Sequence, residues 1–260
     1  MRRCPVYLLL ALASFASARI EPFGAELPHA SFESQLGLLD QPPAISPPVD
    51  AAASFLRMNF NLTLDRDYFV TDSYTSTNGI SHVYFKQLIH GSQVENGVMN
   101  LNIDRNGRIA SFGSSFYGWT REALDDNVDR RSLFAYVSDS LSPVEGLSDP
   151  RIVLSPNEAF RRLADYANIT VEPDLLQLSA VGAIHDYSSN HFVINGVQGV
   201  LSEIPVSLKF FQTSNSELRL VWDYQVELNN DWLHAHVDTQ NGELLSLVNW
   251  LAHTHFISKC

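Results

Sequence analysis

Three side chains of metal-binding types occupy alternate positions near the end of the chain: His234, His236 and Asp238. Alternate residues of a β-strand point to the same face of its sheet, so the three would lie together if this segment is a strand. Imidazole and carboxylate groups bind zinc, but a zinc site needs three or four ligands that converge on one point. Two interpretations follow: part of a metal site, or the polar face of a strand that meets solvent or a partner.

Trp232 shares this face with the two histidines and favours an interface. Aromatic side chains are enriched where proteins bind one another. We therefore predict that Trp232, His234 and His236 contact a partner and that the chain itself binds no metal or other cofactor. His234, His236 and Asp238 remain weak metal candidates.

The motifs of several large enzyme classes do not occur in the 260 residues. One class of zinc peptidases carries His-Glu-x-x-His, in which two histidines one helical turn apart bind the metal and the glutamate acts as the base. The sequence has no such pentad, no Gly-x-Ser-x-Gly elbow and no Cys-x-x-Cys pair. The residues present predict that the chain has no catalytic activity of its own.

The N-terminus has the parts of a secretory signal peptide. Arg2 and Arg3 supply positive charge, a short apolar run follows, and Ala-Ser-Ala then suits signal peptidase. We expect cleavage after Ala18 and a secreted, extracellular chain, in which Cys260 would be the one remaining cysteine. Because export brings the chain past the glycosylation machinery, the sequons that begin at Asn61 and Asn168 are predicted to carry glycans.

The charge of the chain excludes some partners. It carries 17 Lys and Arg against 29 Asp and Glu, a formal net charge of −12, and has no cluster of basic residues. Nucleic acid and anionic membrane surfaces are therefore poor candidate partners. No apolar run is long enough to cross a bilayer.

Hydrophobic periodicity indicates the elements that would position these residues. Ser155 is predicted to cap a helix, with Glu158 completing a capping box and an apolar stripe following at helical spacing. Asp50 is predicted to cap a shorter helix. Runs of β-branched and aromatic residues predict strands, and Asn-Gly pairs at 106–107 and 241–242 predict hairpin turns.

A weak internal repeat organises these elements. NIDRNGRIASF and HVDTQNGELLSL share the order strand, Asp, Asn-Gly, strand, and each half begins with a helix. This predicts an α+β fold of two successive helix-plus-antiparallel-sheet modules. The predicted boundaries are 1–18 for the signal peptide, 19–49 for a Pro-rich irregular segment, 50–118 for the first module, 119–153 for a connector with a helical segment near 133–137, 154–250 for the second module and 251–260 for a divergent tail.

Two long stretches resemble a known family. SHVYFKQLIHGSQVENGVMNLNIDRNGRIASFGSSF resembles the fungalysin/thermolysin propeptide module. LSPNEAFRRLADYANI, followed by LRLVWDYQVELNNDWLHAHVDTQNGELLSLVNW, resembles a second prosegment module of PepSY type. Over residues 50–250 the order and spacing are similar to the prosegment of a fungalysin, a secreted fungal zinc metalloendopeptidase.

This resemblance implies a role and a partner. Such prosegments fold beside the catalytic domain, assist its folding and hold it inactive until the precursor is cleaved. Zinc belongs to that catalytic domain, which is the implied partner. The family pattern has a histidine matching His234 but usually an aromatic residue where His236 stands, which disfavours a metal site on this strand.

Residues 251–260 do not resemble the junction that leads to a fungalysin catalytic domain. We therefore expect a prosegment without its catalytic domain, which is either a truncated gene product or a stand-alone prosegment that acts in trans. The alternative hypothesis is a stand-alone secreted binding protein built from the same modules.

Overall fold

The computed structural model describes residues 20–34, 46–118, 141–181 and 189–251. Ala18, Cys260 and the predicted helical segment near 133–137 lie outside these residues. The prediction of a mixed fold of helices and mainly antiparallel sheet is confirmed. Within the described ranges the helices are α1 (Pro48–Phe60) and α2 (Pro156–Ala167), and the strands are β1 (Ser31–Glu33), β2 (Tyr68–Thr75), β3 (Ser81–Ile89), β4 (Ser92–Ile103), β5 (Ile109–Ser114), β6 (Gln177–Ala180), β7 (Ser189–Asn195), β8 (Ile204–Gln212), β9 (Leu218–Glu227), β10 (Trp232–Asp238) and β11 (Leu244–Asn249).

Helix α2 begins as the sequence predicts. The Ser155 hydroxyl accepts a hydrogen bond from the Glu158 backbone, and the Glu158 carboxylate accepts one from the Ser155 N–H at 2.9 Å. These bonds satisfy two of the backbone donors that a helix start leaves unpaired. The apolar stripe, including Phe160 and Leu163, is fully buried.

Helix α1 begins earlier than predicted. Its N-cap is Pro47 in an extended conformation, and the helix starts at Pro48. The prediction that Asp50 is the cap is wrong, because a proline at the first helical position already has a suitable φ and needs no N–H partner. Asp50 lies in the first turn, where its charge is favourable. In the portion of the chain described, no helix combines the length and apolar character required to cross a bilayer.

The strands form one sheet in the order β1-β5-β4-β8-β9-β10-β11, with β2 and β3 attached beside β4 and β6 and β7 beside β8. Strands β4 and β8 pair in parallel through Val94 and Phe210. An amide side chain extends this short link: Asn96 donates to the Gln212 carbonyl at 2.8 Å and accepts from the Gln212 N–H at 2.9 Å. We call β1–β5 and β6–β11 the two halves of the sheet, and the β4–β8 contact the join between them. The join thus has few backbone bonds and depends on side chains.

Each helix packs against one part of the sheet and encloses a hydrophobic core there. The first lies between α1 and β2–β5, and the second between α2 and β7–β11. Ile89 and Val94, at the end of the β3–β4 hairpin, pack into the second core. The first half of the sheet therefore contributes apolar side chains to the second core.

The two hairpins that contain Asn-Gly close in a similar way. Asp104 accepts hydrogen bonds from two backbone N–H groups of its loop at 2.8 Å each. Asp238 accepts two from its own loop at 2.7 and 3.1 Å. Gly107 and Gly242 follow with φ of 76° and 74°, a region that favours glycine. The sequence repeat therefore reflects two loops that are each closed by one aspartate.

Candidate functional site

Strand β10 divides its side chains between the two faces of the sheet, as the alternation predicts. Leu233 and Ala235 pack in the second core, so Trp232, His234 and His236 lie on the face away from α2. Trp232 is 46% exposed, but His236 is only 4% exposed. The expectation that His236 contacts a partner needs correction, because its ring lies beneath the surface. Trp232 and the half-buried His234 remain accessible to a partner.

A row of buried polar residues crosses this face. The strand register places Ser207 of β8 beside Asp223 of β9, Asp223 beside His236, and His236 beside Ser246 of β11. All four are buried. The Ser207 hydroxyl donates to Asp223 Oδ2 at 3.3 Å. Asp223 is therefore the central acceptor of the row.

Both histidines point at one oxygen of this carboxylate. His234 Nε2 lies 2.5 Å from Asp223 Oδ1, and His236 Nε2 lies 3.4 Å from the same atom. Only His234 makes a hydrogen bond, because neither ring nitrogen of His236 has a hydrogen-bond partner among the described residues. The His236 ring instead stacks on Phe211 with centroids 4.9 Å apart.

Lysine side chains complete the arrangement from both halves of the sheet. The Lys209 ammonium lies 2.5 Å from Asp223 Oδ2 and 2.9 Å from Glu95 Oε2. Lys86 of β3 lies 2.8 Å from Glu95 Oε1. Because Glu95 is on β4, the Lys209–Glu95 pair crosses the join between the halves. We call the six residues the junction cluster: Lys86, Glu95, Lys209, Asp223, His234 and His236.

The electrostatics of the cluster hold Asp223, Lys209 and Glu95 in their charged forms. Burial would raise the pKa of Asp223, but the bond from His234 and the Lys209 charge hold that pKa far below its usual range. Burial would likewise lower the pKa of Lys209, but Asp223 and Glu95 raise it above its usual value. The pKa of Glu95 is lowered by Lys209 and Lys86 against the effect of burial. Two ammonium groups thus balance two carboxylates.

His236 behaves oppositely, because burial lowers its pKa to about 4. The charges of Asp223 and Glu95 favour the protonated ring, but they do not compensate for the loss of solvation. His236 is therefore neutral at neutral pH.

The predicted metal candidates are only partly brought together. Donor atoms of Glu95, His234 and His236 lie within 4.8 Å of one another. Asp238 is not among them, since its carboxylate closes the hairpin loop and lies 3.5 Å from Arg219. A divalent metal here would add two positive charges beside Lys209 and Lys86, whose two ammonium groups already balance the two carboxylates. The charge balance favours an ion network, and the absence of a bound metal stays a prediction.

The acidic and basic members of the cluster were not predicted from the sequence. Lys209 and Asp223 each interrupt a strongly apolar strand, in SLKFF and VWDYQ. A charged residue flanked by apolar neighbours on adjacent strands is a signal that could have found them. Glu95 carries no such local signal, because the pairing of β4 with β8 brings it to the site from more than 100 residues away.

The predicted glycosylation sites occupy equivalent positions. Asn61 ends α1 and Asn168 ends α2, each exposed and each with a left-handed backbone, φ 57° and 54°. Asparagine tolerates this conformation well, which supplies a structural reason for both residues. Their exposure leaves both side chains accessible for modification.

A family model matches part of the first half of the chain. Residues 67–116 match the Fungalysin/Thermolysin Propeptide Motif, a segment that contains β2, β3, β4 and β5. Among solved structures, the Bacillus megaterium YpeB C-terminal domain is similar over 81% of this chain and 69% of that one, at 10% identity and a TM-score of 0.34, which is too low to establish a shared fold.

Curated relatives extend the similarity beyond the motif. Extracellular metalloproteinase 3 of Trichophyton equinum is 29% identical over 188 residues, and extracellular metalloproteinase 10 of Uncinocarpus reesii is 29% identical over 189 residues. Each match covers 72% of this chain and 26% of the relative, so the similarity spans about a quarter of each relative's length. The resemblance seen in the sequence is thereby confirmed: the chain carries a Fungalysin/Thermolysin Propeptide Motif and is similar to part of the fungal extracellular metalloproteinases.

Proposed function

We propose that this chain is the prosegment of a secreted fungalysin-type zinc metalloendopeptidase. In this role it folds beside the catalytic domain, assists its folding and holds it inactive. The observation that carries the proposal is the propeptide motif at residues 67–116, together with similarity over 188 residues to relatives named extracellular metalloproteinases. Zinc would belong to the catalytic partner, and the chain itself would act by binding.

The proposed organisation is two successive modules. The core between α1 and β2–β5 supports a first module at 50–118, and the core around α2 supports a second at 154–250. Residues 119–153 would connect them, with 19–49 as an irregular leading segment and 251–260 as a tail.

Export is the second part of the proposal. The relatives are named extracellular proteins, and residues 1–18 have the composition of a signal peptide, with cleavage after Ala18. A secreted chain would carry glycans on the exposed Asn61 and Asn168.

We propose that the partner contacts the edge of the sheet near Trp232. Trp232 is 46% exposed and Trp250 is 50% exposed. The Trp250 ring lies nearly parallel to that of His234, with centroids 6.5 Å apart. Two exposed indoles beside a half-buried imidazole have the composition of an interface centre.

A pocket supports the alternative, a stand-alone secreted binding protein. It has a volume of about 450 Å³ and is lined by residues of β2–β5, among them Tyr84, Val98 and Asn100. This size lies in the range of small-molecule sites. A ligand bound there would give the same modules a different use.

Assisted refolding tests the proposed function directly. A fungal extracellular metalloproteinase catalytic domain is denatured and diluted into buffer with or without the purified chain, and recovered peptidase activity is measured after the chain has been removed. The proposal predicts a several-fold higher yield with the chain than with an equal mass of serum albumin. Equal yields in the two samples would contradict it.

A further inference from the structure

The two halves of the sheet meet at a join with little backbone pairing. Strands β4 and β8 share the pair Val94 and Phe210, and the Asn96 amide supplies two further bonds. The Lys209–Glu95 ion pair, at 2.9 Å, is a charged contact across this join. A change in the charge of the junction cluster therefore acts where the halves are held together.

His236 lies in this cluster as a buried and unbonded imidazole. It faces charged groups from every strand packed around it: Glu95 of β4, Lys209 of β8, Asp223 of β9 and His234 of its own strand, with Lys86 of β3 bonded to Glu95. Strand β11 contributes only the uncharged Ser246 opposite the ring. Neither ring nitrogen has a hydrogen-bond partner in the described structure.

The carboxylate oxygens of Asp223 and Glu95 already bond other side chains. Asp223 Oδ1 accepts from His234, and Asp223 Oδ2 bonds Ser207 and Lys209. Both oxygens of Glu95 bond lysines. A proton added to His236 from solvent would therefore create a third buried cation beside Lys209 and Lys86, in a cluster whose charges otherwise balance. The nearest carboxylate oxygen, Asp223 Oδ1 at 3.4 Å, already accepts from His234.

We propose that His236 makes the join between the two halves of the sheet proton-sensitive, so that the join is firm while the ring is neutral and weakens when acid protonates it. The proton binds a ring nitrogen, and no covalent bond of the chain changes. If the chain also inhibits a metalloendopeptidase, as proposed above, mild acid would weaken that inhibition. This consequence rests on the proposed function, whereas the proton-sensitive join does not.

The pH range in which stability changes, and the direction of the change, follow from the difference between the pKa of His236 in the folded and the unfolded chain. The unfolded chain binds a proton at the ordinary histidine pKa of about 6.5, whereas burial lowers the folded-state pKa to about 4. The unfolded state thus holds more protons between these values, and stability falls as pH falls through the window. From pH 7 to pH 5 the folding equilibrium constant should drop about 20-fold, at tenfold per pKa unit. Glu95 and Asp223 lose their contributions only at lower pH, because their pKa values are lowered.

The test compares urea unfolding of the purified chain at pH 7 and pH 5 in three forms. His236→Phe removes the titrating group and keeps a ring that stacks on Phe211. His90→Asn is the matched control, since His90 is exposed in a turn with φ 50° that asparagine tolerates. Between pH 7 and pH 5 the folding equilibrium constants of the wild type and of His90→Asn should each fall about 20-fold. The folding equilibrium constant of His236→Phe should fall several-fold less. Because all three keep His234, the difference isolates His236.

A second measurement protects the test against a variant that does not fold. The ring protons of His236 in the folded wild type should titrate below pH 5 in an NMR pH series. A His236 signal that titrates near pH 6.5 would overturn the proposal, and so would an equal pH effect in wild type and His236→Phe. Zinc is added in a separate arm to chelator-treated protein. A zinc-induced rise in the urea midpoint of the wild type that His236→Phe lacks would show a metal site and would also overturn it.

Discussion

Lys209 bonds one carboxylate from each half of the sheet and is only 11% exposed. Lys209→Met should therefore cost about 3 kcal/mol of unfolding free energy, because it leaves Asp223 and part of Glu95 buried without their cation. Lys86→Met is the matched control: Lys86 is more exposed, and Glu95 keeps Lys209. It should cost clearly less than Lys209→Met, because both carboxylates keep an ammonium partner. Urea denaturation at pH 7 measures both, and equal losses in the two variants would show that Lys209 has no special part in the join.

At the scale of elements, the start of α2 carries its own prediction. Ser155→Ala removes the side-chain acceptor for the Glu158 N–H and should lower the unfolding free energy by about 1 kcal/mol. Ser155→Asp keeps an acceptor and should stay within about 0.5 kcal/mol of the wild type. Thermal and urea unfolding would reveal this difference. Indistinguishable midpoints for the two variants would mean that the capping box adds nothing to stability.

The elements also show which features the sequence could predict. The capping box and the hairpin loops closed by Asp104 and Asp238 depend on residues within a few positions of one another, so the local pattern suffices. The start of α1 was misplaced because Pro48 and Asp50 both suit a helix start, and the proline takes precedence.

The candidate site was predicted only in part, for a physical reason. Period-two alternation placed His234 and His236 on one face. It could not show that Lys209, Asp223 and Glu95 cover His236, because those contacts depend on the order of strands in the sheet.

At the scale of the whole molecule, the proposed prosegment role predicts that surface charge affects the rate of binding to the partner and that exposed tryptophan affects its affinity. A net charge of −12 should speed association with a positive surface on the partner, and added salt should slow it.

Trp232→Ala should weaken binding by more than about 1 kcal/mol if its exposed indole lies at the centre of the interface. Tyr166→Ala, which truncates a 46% exposed aromatic on α2, is the control and should leave affinity unchanged. Stopped-flow association and equilibrium titration measure the rate and the affinity.

Inhibition in trans is the most direct test of the central claim. A mature fungal extracellular metalloproteinase is titrated with the purified chain, and hydrolysis of a peptide substrate is followed. A separate chain lacks the effective concentration of a linked prosegment, so a dissociation constant between about nanomolar and micromolar is expected. We expect a saturable loss of activity at one chain per enzyme. Full activity at a large molar excess, with the chain shown to be folded by circular dichroism, would contradict it.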